Sequence, residues 1–446
     1  MASLPMQSID SLKNKLVIDV GEDKVKTLIV LSEAYRNIHF DECLEYGMLA
    51  VHESRLLENI SLEAKAMKSL GISAYFAGNF EQAISFYEKS LEIYKKNNDF
   101  EGIAGCFNNI GLIYEERAEF VLAAEFYEKS LEYERLRNNK SGEAISLISL
   151  GNINYYLNNY QSSLDYYYQS LLIFKDQNDV GGEAFSYNSL GIIYFAWNNL
   201  DQAIQYFEKA EEIYREIEDE NGLSKVLTNM GELYSEQNKN YKKALSCLNT
   251  SLAIKRKLED KIGIALLYNN LGTLYSKMED YSGALEYYQK SLNLYEKMES
   301  NTGLVMVEQN IGKVFFSQKK YEQALTKFNL SLAMAKESHM NDYIVGNYED
   351  IMLCYARISK NKEFEKYYQL YLALNDSIIE NLQHQQIKKI EEKYNIEEII
   401  FNSKELKEEN EKQIREIKQL KLIMAGLGGL IILVVFSYVL FIRTKK

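Results

Sequence analysis

Seven asparagines stand beside evenly spaced glycines in this chain: Asn108, Asn109, Asn188, Asn229, Asn269, Asn270 and Asn310. A carboxamide offers a donor and an acceptor together, the same pair that a peptide bond presents. Spaced once per structural unit, such groups could hold the backbone of an extended peptide whatever its side chains. Tyr155, Tyr156 and Phe195 lie about a turn further along the same segments and would supply side-chain pockets. Each feature also has a purely structural explanation. The amides can bond from helix to helix within a stack, and the rings can pack between neighbouring units. Ser149 and Ser189 interrupt the asparagine ladder.

Other chemistry is hard to find in the sequence. It has no phosphate-cradling glycine loop, nucleophile elbow or metal-binding pair. His39, His52, His339 and His384 are scattered singly, and pairs such as Glu211-Glu212 and Glu397-Glu398 read as solvated charge. Cys43, Cys106, Cys247 and Cys354 form no CxxC pair and read as buried thiols. The expectation is a non-enzymatic protein with no catalytic residue, metal or cofactor. A net charge of −13, with no long basic stripe, argues against a nucleic-acid partner.

The elements that would position the asparagines come from a repeat. Gly182 to Asn221 reads as two amphipathic helices. The first carries Phe185, Leu190, Ile193 and Tyr194 at helical spacing, and the second Ala203, Ile204, Phe207, Ala210 and Ile213. Asn198-Asn199-Leu200-Asp201 forms the turn between them. Glycines recur at Gly71, Gly111, Gly151, Gly191, Gly231, Gly272 and Gly312, in steps of 40 residues with one of 41. A small residue, an aromatic and a second small residue follow most of them at fixed offsets, as in Ala203, Phe207 and Ala210; after Gly231 the offset is one longer and Leu248 replaces the aromatic. A second series, Gly102, Gly142, Gly182, Gly222, Gly263 and Gly303, opens each first helix. A fixed period of this size means stacked repeats. The single proline, Pro5, lies outside all of them, so no helix is interrupted.

The pattern N-x-G-x-x-Y followed by (F/Y)-x-x-A-x-x-x-(F/Y)-x-x-(S/A)-L resembles the tetratricopeptide repeat (TPR). The 40-residue form, as in Asn229 to Tyr234 and Asn270 to Tyr275, is similar to the long-helix repeats of the LGN/Pins adaptors and of bacterial membrane-anchored TPR sensors. The resemblance implies an all-α, right-handed TPR solenoid over residues 24–375, about nine units, with 1–23 as an N-terminal cap. It also implies that the first helices line a concave side and that the seven asparagines contact a protein or extended peptide ligand there.

Beyond the repeats, 376–421 reads as a helical stalk with an interrupted heptad seam, and Asn410 on that seam would suit a homodimer. Residues 422–442 are 21 residues without charge, long enough for one transmembrane helix, and 443–446 form a basic tail. The sensor-like layout implies a scaffold or sensor module at the bacterial cytoplasmic membrane, with the repeats outside the cytoplasm. A tail-anchored protein with cytoplasmic repeats is the alternative location. The alternative function is the sensory half of a histidine kinase or membrane-bound transcription regulator whose output domain is absent from this chain.

Overall fold

Seventeen residues of helix and three of turn, taken twice, account for the 40-residue period. The computed structural model describes residues 6–36, 38–236 and 240–393. In order the helices are α1 (Met6–Ile18), α2 (Gly21–Tyr35), α3 (Phe40–Leu56), α4 (Ile60–Phe76), α5 (Phe80–Lys96), α6 (Phe100–Glu116), α7 (Phe120–Leu136), α8 (Lys140–Tyr156) and α9 (Tyr160–Asp176). They continue as α10 (Val180–Ala196), α11 (Leu200–Glu216), α12 (Glu220–Glu236), α13 (Tyr241–Lys257), α14 (Lys261–Lys277) and α15 (Tyr281–Lys297). The last four are α16 (Asn301–Ser317), α17 (Tyr321–Glu337), α18 (Asn341–Arg357) and α19 (Asn361–Lys393). The described residues contain no strand, so the fold is an all-α solenoid. Taken two at a time, α2 to α19 make nine pairs. Met1–Leu382 form one compact unit; of the second, Gln383–Lys446, only the end of α19 is described.

The turns are set by local chemistry. Their middle residue takes a left-handed φ, such as 57° at Asn158 and 58° at Asn198. Asparagine tolerates that region better than most side chains, and it fills the position five times between Asn98 and Asn198. The third residue caps the next helix. Asp99, Asp179, Asp260 and Asp280 accept from the backbone N–H groups of Gly102, Gly182, Gly263 and Gly283 at 2.8 to 3.0 Å. The single 41-residue step arises because α12 ends at Glu236 and α13 begins at Tyr241, one residue more than in the other turns between α3 and α19.

Close approach explains both glycine series. A Cβ on Gly71, Gly191, Gly272 or Gly312 would lie 2.5 to 2.7 Å from the ring of Tyr87, Phe207, Tyr288 or Phe328 in the second helix of the same pair. On Gly102, Gly182, Gly222 or Gly303 it would lie 2.2 to 2.3 Å from Tyr94, Phe174, Tyr214 or Tyr295, contributed by the preceding pair. The rings are buried at both places. The small polar position is explained too: Ser90, Ser291 and Ser331 donate to the carbonyls of Ala64, Ala265 and Val305 at 2.7 to 2.9 Å. A buried hydroxyl is thus satisfied where helices cross closely.

Successive first helices touch: α2 meets α4, α4 meets α6, and contact continues from α10 through α12, α14 and α16 to α18. No two second helices of neighbouring pairs come together to the same extent. The array therefore curves with its first helices inside.

Two expectations change at the C-terminal end. The boundary at 375/376 falls inside α19, which runs unbroken from Asn361 to Lys393. The stalk beyond 393, with Asn410 and the proposed homodimer seam, lies outside the described residues, as does the transmembrane assignment at 422–442. The single-pass membrane location, in either orientation, is corrected. Among the described residues no helix is long and apolar enough to cross a membrane.

Substituting Gly191 by alanine tests the ring contact. Overpacking against the fully buried Phe207 costs about 1–3 kcal/mol. That exceeds the roughly 1 kcal/mol gained in helix propensity. Urea unfolding followed by circular dichroism should show a lower midpoint for Gly191→Ala. Gly181→Ala, whose Cβ would meet nothing closer than 3.5 Å, should not lower it.

Candidate binding groove

Counted from the repeat glycine, Asn108, Asn188 and Asn269 stand three residues before it, and Asn109, Asn229, Asn270 and Asn310 two before. The curvature brings these two positions together across neighbouring pairs. Asn229 Nδ2 donates to Asn188 Oδ1 at 2.9 Å, and Asn310 Nδ2 donates to Asn269 Oδ1 at 2.9 Å. Gln309 and Asp350 repeat the arrangement, with Nε2 donating to Oδ2 at 2.8 Å. Part of the asparagine ladder therefore clamps one first helix to the next. Asn269 is only 4% exposed, and its own amide nitrogen lies 3.8 Å from Met306 Sδ, so its side chain is withdrawn from the groove. Asn108 is half-buried, and Asn109, also half-buried, lies beside the Tyr87 hydroxyl. Asn270 differs from the others: its Nδ2 donates to Glu232 Oε1 at 2.8 Å on the open face of the wall.

The aromatics separate in the same way. Phe195 lines a cavity of about 250 Å³ with Glu232, Ser235, Glu236, Asn270, Thr273 and Lys277, closed on its apolar side by Leu248 and Leu274. Tyr155 is half-buried, and burial, then Tyr160 and Glu232, raises the pKa of its hydroxyl. Tyr156 is stacked on Phe120 with centroids 4.9 Å apart and half its surface exposed, which places it at the edge of the array.

Carboxylates are the part of the wall that the asparagine pattern does not reveal. Glu115 accepts from the hydroxyl of the buried Tyr127 at 2.6 Å, and Glu116 accepts from Tyr75 at 3.2 Å. Burial raises the pKa of Glu115, Glu232 and Asp350. Glu232 is exposed to solvent yet crowded by protein atoms, the situation of a group on the floor of a trough. Asp350 has Lys313 3.9 Å away, and Lys277 pairs with Glu236. The Glu232 carboxylate accepts from Asn270, and Lys277 acts on it through space. The sequence carries a signal for these groups. Relative to the repeat glycine they stand one, four or five residues on (Glu232, Glu115, Glu116, Glu236, Lys277), the same helical face as Tyr155, Tyr156 and Phe195.

Known proteins bear out the class. The tetratricopeptide repeat model matches residues 62–135, 142–216 and 222–297, half of the chain, and the protein belongs to that family. No curated protein sequence matches it. Among solved structures it is similar to a Rap protein complexed with competence and sporulation factor, with a TM-score of 0.55 and 13% identity over 80% of this chain and 99% of that one. The apo form of the quorum sensor NprR from B. thuringiensis gives 0.53 and 15%, over 80% and 99%. Aspartyl phosphate phosphatase F from Bacillus subtilis gives 0.53 and 14%, over 80% and 95%. At such identities the likeness establishes the fold alone.

The raised pKa of Glu232 has a consequence for stability. The folded chain holds this proton above the pH at which the unfolded chain releases it, so stability falls as pH rises from the ordinary value of 4.5. Glu232→Gln should therefore match the parent in thermal melts at pH 4 and melt no lower, or higher, at pH 8. A variant that melts lower only at pH 8 would show that the charge stabilises the free protein.

Proposed function

We propose that the array is a non-enzymatic protein- or peptide-binding scaffold whose inner wall holds an extended polypeptide. The observation that carries this reading is the cavity of about 250 Å³ where Phe195 of α10, Glu232 of α12, and Asn270 and Lys277 of α14 converge. Three successive first helices each place a different chemistry at one opening: a ring, an acceptor, and an amide beside an ammonium group. That combination suits a chain with both backbone and side chains to recognise. In this reading Asn270 contacts the peptide directly. Asn229 and Asn310, each donating to a neighbour, contact it through their own carbonyl oxygens. Asn188 and Asn269 hold the wall, and Asn108, Asn109, Tyr155 and Tyr156 extend it toward the N-terminal units. The solved Rap protein is complexed with competence and sporulation factor. The likeness of folds makes a comparable use of this groove reasonable.

The test is capture of peptides from a degenerate decapeptide library by the purified full chain. Phe195→Ala should weaken the best captured peptide by about 30-fold, the effect of losing an aromatic anchor of about 2 kcal/mol. Leu172→Ser, on the exposed face of second helix α9, should leave its dissociation constant unchanged. Equal binding by both variants would reject the groove.

A further inference from the structure

We propose that the cavity between α10, α12 and α14 receives a lysine or arginine side chain of the bound polypeptide. The inference rests on the groove reading above and adds the chemistry of one subsite.

The charge at the opening comes from Glu232, Glu236 and Lys277. Lys277 Nζ is committed twice, to Glu236 in an ion pair and to Ser235 Oγ at 3.1 Å. The three groups sum to one net negative charge, and Lys277, although paired with Glu236, also acts on Glu232 through space. Asn270 holds one oxygen of Glu232 by its 2.8 Å bond to Oε1, fixing the carboxylate, while Oε2 has no partner among the described residues. A carboxylate held by one amide and crowded by protein atoms, although open to solvent on one side, is only partly compensated until a cation reaches it. The raised pKa of Glu232 agrees with that deficit.

The shape suits the same occupant. Phe195, Leu248 and Leu274 form an apolar wall for an aliphatic stem, and the carboxylate lies beyond it for the charged head. A ring beside a carboxylate is also a favourable seat for guanidinium or ammonium. An acidic side chain would face Glu232 without compensation, and a purely apolar one would strip water from the carboxylate and return nothing. On α6, Glu115 and Glu116 add negative charge to first helices nearer the N-terminus.

The experiment uses the full chain, an N-acetylated and C-amidated degenerate decapeptide library, and sequencing of the bound pool. The parent should enrich Lys or Arg at one position. Glu232→Gln keeps the acceptor for Asn270 and should lower that enrichment about tenfold, with helical circular dichroism unchanged, as expected for losing one charge-assisted hydrogen bond. Lys277→Gln frees Glu236 and should raise it. Enrichment that survives Glu232→Gln, falls in Lys277→Gln, or favours acidic or apolar residues instead would overturn the subsite and leave the groove standing. A parent chain that captures no peptide at all would overturn both.

Discussion

A ring seated where a glycine lacks its side chain is the contact on which the array depends. Tyr87, Phe207, Tyr288 and Phe328 fill that space within a helix pair, and Tyr94, Phe174, Tyr214 and Tyr295 fill it between pairs. Each ring buries a large apolar area, of the kind whose loss costs about 3–5 kcal/mol in a packed core. Where the two kinds of contact alternate along the chain, a helix is locked both to the one before it and to the one after it; at Gly142, Gly231 and Gly263 the nearest side chains are Glu134, Leu248 and Asp260 in place of a ring. The solenoid needs no long-range contact beyond its neighbours, and its stability is carried from pair to pair.

That locking also produces the inner wall proposed above as a binding surface. First helices approach one another more closely than second helices do, and side chains on their inward faces are gathered from successive pairs. Groups 41 residues apart in the chain become partners, as Asn188 and Asn229 or Glu236 and Lys277. The polar positions divide the work. Asn188 with Asn229 and Asn269 with Asn310 bond across the wall and set its spacing, whereas Phe195, Glu232 and Asn270 meet at one cavity. Neutral clamps thus lie beside an acidic floor on the same helices.

The repeat was plain from residue types because glycine, small and aromatic positions recur at fixed offsets, and any change of offset would leave a ring without its seat. The nine pairs, the all-α class and the family follow from that regularity. The groove residues were only partly legible. Successive residues on a helix differ by about 100° in direction. Whether Asn269 or Asn270 is open to the inner wall therefore turns on a small rotation against the neighbouring helix: Asn269 is buried, and Asn270 bonds Glu232 at the cavity. The membrane location was an inference from layout, and no described helix has the length and apolarity to support it.

What the sequence determined alone was periodic: helix length, turn chemistry at positions such as Asn198 and Asp179, and the places where two helices must nearly touch. Those depend on neighbours within a few residues or one repeat, so residue type and spacing suffice. Which polar groups became clamps and which were left facing the trough was decided only by tertiary structure. Curvature fixes the distance between first helices, and that distance determines whether an amide reaches its neighbour or a ligand.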